Sequence, residues 1–155
     1  MKSFLKSSPM RLHLNSTIQT ALFLVVGFIG FADSSFLAMK HYLALPVPCF
    51  IVQGCDIVTT SRFSMIGPVP LAVLGILYYL VVIILAVAYL DSKRKNILLF
   101  LAKFSVIGFA TSIYLVYLQA FVLHAFCLYC LISATTSTLL FLIGVSVLLL
   151  ERRVR

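Results

Sequence analysis

An all-α integral membrane fold, a bundle of four spanning helices with both termini cytoplasmic, follows from three observations. Hydrophobic residues make up 63% of the chain and charged residues only 10%, with a mean hydropathy of +1.16, a balance that no soluble domain could cover with a polar surface. A spanning helix takes ~20 apolar residues, and four such runs occur, at 18–38, 69–90, 97–122 and 127–150. The cations also sort by position. Lys2, Lys6 and Arg11 precede the first run, Lys93, Arg94 and Lys95 separate the second from the third, and Arg152, Arg153 and Arg155 follow the fourth. The two remaining connections carry only Lys40 and Arg62, which puts them on the outer side. The net charge of +8 is thus a topology signal rather than a nucleic-acid footprint. The connections leave no room for a soluble catalytic domain, so residues 1–155 are expected to form one membrane domain in contact with lipid. A basic start before an apolar run also has the outline of a signal peptide. No small-x-small cleavage site follows it, however, and its removal would leave three helices with one terminus on the wrong side of the charge pattern.

In the first run Gly27 and Gly30 permit close backbone approach. Asp33 near its outer end would be costly facing lipid, so it is expected to reach the bundle interior or the interface, either to hold the outer loop or to handle protons. Leu45-Pro46-Val47-Pro48 cannot continue a helix, and an extended loop is expected there. The segment from Asp56 to Ile66 is too short and too polar to span, and is expected to form a short helix over the bundle, capped by Cys55 or Asp56. Gly67-Pro68-Val69-Pro70 then opens the second span, with proline tolerated in the first turn. Tyr78, Tyr79 and Tyr89 are expected as core or interfacial belt. In the third run Lys103 can snorkel to the cytoplasmic surface, and Gly108 with Ser112 forms a small-residue packing pair.

The four cysteines carry the chemistry. Cys49 and Cys55 lie in the first outer connection, and Cys127 and Cys130 start the last run, so all four face an oxidising compartment. Five residues separate Cys49 from Cys55, and closing so short a ring costs little chain entropy, so a reversible disulfide there is reasonable. Two thiols three positions apart share one helix face, and the helix N-terminus favours a thiolate. Buried cysteines in apolar helices are also often inert packing residues. His124 is a candidate base for such a thiol. Ser133, Ala134 and Ser137 continue the face of Cys130 as a small, mildly polar stripe that suits either a flat ligand or close helix packing.

The pair Cys49-x5-Cys55, the run Asp56-Ile57-Val58-Thr59-Thr60-Ser61-Arg62, the turn Ile66-Gly67-Pro68-Val69-Pro70 and the stretch Phe126-Cys127-Leu128-Tyr129-Cys130-Leu131-Ile132-Ser133-Ala134 together resemble the vitamin K epoxide reductase family over nearly the whole chain. The resemblance implies a four-helix bundle holding a quinone, of ubiquinone or menaquinone (vitamin K) type, near its outer end. It implies an active-site disulfide between Cys127 and Cys130 with Cys130 nearer the quinone, a shuttle of Cys49 and Cys55, and Ser61 as the loop serine near the active site and the quinone pocket. Thiol–disulfide exchange along this relay requires the loop to move. The animal enzymes carry a tyrosine four residues after the second cysteine of the Cys-x-x-Cys and an asparagine in the outer loop. Here Ala134 takes the first place and 63–67 offers no asparagine, which turns the expectation from epoxide reduction toward the bacterial homologues. These resemble disulfide-generating enzymes that reoxidise a secreted thioredoxin-like protein, which for this chain would be a separate periplasmic or luminal partner. The expected setting is a bacterial inner membrane with the active site on the periplasmic face.

Three rivals remain. Another quinone-linked oxidase type gives the same net reaction but carries its cysteine pairs in the reverse order. A small thiolate-based metal transporter could use four cysteines, although the spans offer no charged path besides Asp33 and Lys103, and no metal site is expected. A purely structural protein stabilised by disulfides is the third.

Overall fold

The computed structural model describes residues 9–43, 45 and 54–154, with backbone alone at 9–15, 56, 151, 153 and 154. Its long helices are α1 (Pro9–Tyr42), α3 (Leu71–Ser92), α4 (Lys95–Tyr117) and α5 (Leu128–Val154), with a short α2 (Cys55–Thr60) between the first two. Among the described residues four stretches are long and apolar enough to cross a membrane: Ser16–Tyr42, Leu71–Ser92, Lys95–Val122 and Leu128–Leu150. The four-helix architecture expected from hydropathy is therefore present, and its ends shift for local reasons. α1 runs past Ala38 because no breaker intervenes before Pro46, and Lys40 and His41 in its last turn complement the helix dipole. The second span starts at Leu71 rather than Val69, because Val69–Pro70 (β2) pairs with Met65–Ile66 (β1) in a two-residue hairpin. Gly67 supplies the positive φ of 63° that this turn needs. α2 is capped by Gly54 without a side-chain hydrogen bond, so the expected capping by Cys55 or Asp56 does not occur.

Between α3 and α4 the chain turns in two residues. Lys93 takes the left-handed conformation (φ 52°) and donates its N–H to the carbonyl of Tyr89 at 2.8 Å. We call this the turn end of the bundle and the end carrying residues 43–70 the loop end. α1 packs on α3 and α5, and α4 on α5 and α3. Toward the turn end the interior is close-packed around Phe23, Val82, Leu101 and Leu140, all with no exposed surface. Large apolar side chains such as Phe28, Ile84, Phe100 and Leu142 cover the outside, as a lipid-facing surface requires. Lys103 is exposed on α4.

Gly30 serves a side chain rather than the expected close backbone approach. A Cβ there would lie 2.2 Å from the ring of Tyr79, which is buried and tied by its hydroxyl to α5. Gly30→Ala is expected to destabilise the bundle by about 1–3 kcal/mol, measured as a lower denaturation midpoint in detergent. A wild-type midpoint would mean that Tyr79 has a second place to go.

Candidate functional site

The loop half of the bundle encloses a cavity of about 420 Å³, within the range of small-molecule sites. Asp33 and Leu37 of α1, Gly75 and Tyr78 of α3, Phe104 and Gly108 of α4, and Cys130 and Ala134 of α5 form its walls, and Val58, Ser61 and Phe63 roof it. Leu74, Ile107 and Thr111 line it while also lying exposed on the bundle flank. The cavity therefore opens sideways between α3 and α4.

The last span brings the Cys127 and Cys130 pair to this cavity. α4 continues as a π-helical turn, Leu118–Val122, and residues 123–127 are not helical. Cys127 stands just before α5 rather than inside it, and its carbonyl accepts the N–H of Leu131 at 3.0 Å. Its own N–H donates to Oε1 of Gln119 at 3.0 Å. Cys127 is fully buried and Cys130 partly so, and both are free thiols. The Cys130 thiol hydrogen-bonds to Cys127 and lowers its pKa from the ordinary 9.0 to about 7, against burial and with help from the Cys130 and Tyr129 backbone N–H groups. Cys127 is thus the thiolate of the pair near neutral pH, while Cys130 lines the cavity.

Gly54 and α2, together the cap segment, sit directly on this pair. Cys55, Val58, Ala125 and Cys127 form one buried cluster, with Tyr129 and Cys130 packed against it. Cys55 takes part in a disulfide. Cys49, and with it most of the expected extended loop, lies outside the described residues. Gly54 makes the contact possible, since a Cβ there would lie 2.9 Å from the carbonyl oxygen of Phe126. Ser61 lines the cavity, but its hydroxyl donates to the carbonyl of Val58 at 2.7 Å and so ends α2, leaving only its acceptor side to a ligand.

The face of Cys130, Ser133, Ala134 and Ser137 lines the cavity, and Ser137 also hydrogen-bonds to Ser112 across to α4. The two adjacent tyrosines of α3 both line the cavity. Tyr79 is also core, as expected, its hydroxyl bonded to the carbonyl and hydroxyl of Ser133 and to Thr136. Tyr78, expected as core or belt, packs against that core and has a buried hydroxyl without a hydrogen-bond partner among the described residues. Asp33 reaches the interior and lines the cavity, and its Oδ2 is likewise buried without a partner among the described residues. His124, considered as a base, is exposed in a left-handed conformation and off the cavity wall. His41, which drew no functional expectation, is on that wall. Among the described residues no three His, Cys, Asp or Glu side chains converge to hold a metal ion.

Two measurements probe this geometry. Thiolate absorbance of the reduced protein is expected to rise with a midpoint near pH 7 for Cys127 and to move up toward the ordinary thiol range in Cys130→Ala, which removes the hydrogen-bond donor. An unmoved midpoint would refute that cause. Gly54→Ala should lift the cap segment from Phe126 and weaken hydrogen-exchange protection at residues 55–60, whereas wild-type protection would show slack in that contact.

A family model described as the vitamin K epoxide reductase family matches residues 21–145, from α1 into α5. A search among curated proteins finds no match.

Proposed function

The chain belongs to the vitamin K epoxide reductase family, and from that premise we propose that it is a quinone-dependent thiol–disulfide oxidoreductase that generates disulfides in a separate thioredoxin-like protein. Membership together with four apolar spans makes it a multi-pass membrane oxidoreductase. The finer reading is carried by one observation: Cys130 lines a largely apolar cavity that opens to the side of the bundle, with the Cys127 thiol hydrogen-bonded to it.

In this reading a thiolate of the partner attacks a disulfide between Cys49 and Cys55, and the partner leaves oxidised through a mixed disulfide. One of the two loop thiols then attacks the Cys127–Cys130 disulfide, and the loop pair closes again. The burial of Cys55 in one cluster with Cys127 supports that hand-over. The inner pair, now two thiols, returns to its disulfide as two electrons pass from Cys130 to the quinone, which supplies the oxidising power. Gln119 holds the Cys127 backbone during this exchange, and Ser61 keeps α2 closed over the cavity.

The cavity suits a flat ring with a tail, since its side opening lies between two apolar helices. Ala134 on its wall offers no hydroxyl where the animal enzymes carry tyrosine, which favours a quinone of ubiquinone or menaquinone type over an epoxide. We place the chain in a bacterial inner membrane with the loop end on the periplasmic face.

Purified protein given a reduced thioredoxin-like protein and a short-tailed quinone is expected to reduce the quinone. Cys127→Ala and Cys130→Ala should abolish turnover with any thiol donor. Cys49→Ala and Cys55→Ala should lose turnover with the protein donor yet retain it with a small dithiol that reaches the inner pair. Full activity in Cys127→Ala or Cys130→Ala would end the reading.

A further inference from the structure

Reducing a quinone to a quinol takes two protons as well as two electrons, and the cysteine relay accounts only for the electrons. The cavity holds a group suited to the protons. Oδ2 of Asp33 is one of two buried side-chain atoms without a hydrogen-bond partner among the described residues, and the other, the Tyr78 hydroxyl, lines the same cavity. A buried polar atom left unpaired is costly, and an ionisable residue inside a membrane span is a marker of function. A carboxyl group that served only to hold the loop would be expected to spend both oxygens on hydrogen bonds. Asp33 is also close enough to act electrostatically on Cys127, Cys130 and Tyr79. The titratable groups that share the cavity with it are Tyr78 and Tyr79 from α3, Cys130 from α5 and His41 from its own helix. Among the described residues α4 contributes none and no Lys or Arg lines the wall.

We propose that Asp33 is the acid–base group of the cavity, taking the Cys130 thiol proton as the Cys127–Cys130 bond forms and releasing it to a quinone oxygen. This rests on the quinone reading given above. The balance closes without another reagent: two thiols become one disulfide, and the quinone gains two electrons and two protons. One proton travels through Asp33 from Cys130. The other replaces, from solvent, the proton that Cys127 has already released as a thiolate. Asp33 ends the cycle in the state in which it began.

Asp33→Asn keeps the shape and removes the carboxylate that takes up and releases the proton. In protein reduced by a small dithiol, this variant is expected to reduce quinone about 10²-fold more slowly or worse, the scale of general acid–base catalysis, with unchanged affinity for labelled quinone. Asp33→Glu should recover part of the rate. A second readout needs no turnover comparison. Followed in time, the infrared difference spectrum of reduced wild-type protein on adding quinone should contain a transient carboxyl C=O band, because Asp33 is the acidic residue on the cavity wall among the described residues. A wild-type rate in Asp33→Asn, or a wild-type spectrum without that band, overturns the role of Asp33 while leaving the oxidoreductase reading intact. Wild-type protein that reduces no quinone overturns both. Should Asp33→Asn fail to fold, the wild-type spectrum alone decides.

Discussion

The N–H of Cys127 rests on the side-chain oxygen of Gln119, and the placement of the two thiols depends on that bond. A chain leaving one helix and entering the next must satisfy the free backbone groups of both ends, and here it does so with almost no water at hand. Gln119 is 2% exposed. Its side chain accepts from Cys127 and its backbone carbonyl accepts from Ala125, so one residue holds both strands of the 119–127 crossing. With Cys127 fixed, its carbonyl starts α5, and the face that carries Cys130, Ser133 and Ala134 turns toward the cavity. The π-helical turn at Leu118–Val122 widens the end of α4 where this happens, a feature that often accompanies functional sites.

A cavity in a membrane bundle needs a reason not to collapse, because apolar side chains pack as well against lipid as against each other. Polar ties supply the reason. The Tyr79 hydroxyl fastens α3 to α5 through Ser133 and Thr136, and Ser112 fastens α4 to Ser137. Glycines give the rings their places. A Cβ at Gly108 would sit 2.3 Å from the Tyr78 hydroxyl, so Tyr78 can lie across α4 as a wall. Below these ties the turn half is solid, and that solid half keeps the helices in register for the open one.

Much of this can be read in the residues themselves. Hydropathy over 18–38, 69–90, 97–122 and 127–150 finds every span, because a run of apolar residues that long has few other uses. The order of the cysteines and the Ser61-Arg62 step lead to the family that the comparison finds independently. What cannot be read depends on orientation. Tyr78 and Tyr79 are identical neighbours in a helix apolar on every side, so periodicity cannot show which of them is tied to α5 and which leaves its hydroxyl unpaired beside the cavity. Gln119 is a polar residue near the thiols, but its task depends on a π-helical turn that no pattern in 118–122 announces. His124 lies three positions before Cys127, and sequence proximity suggests a base, yet its left-handed conformation leaves it exposed. Pro70 looks like a first-turn proline and instead closes a hairpin, because the pairing of Met65–Ile66 with Val69–Pro70 takes those residues first.

The side opening between α3 and α4 has a bearing on how supply to the site is counted. Leu74 and Ile107 present apolar surface on both sides of that opening, toward the cavity and toward the acyl chains. A molecule arriving there leaves the hydrocarbon phase only at its last step, and a long tail can stay behind. Its effective concentration is then a mole fraction of the bilayer rather than an aqueous molarity. Half-saturation measured in micelles will scale with the quantity of detergent, and two preparations agree only when compared per unit of amphiphile.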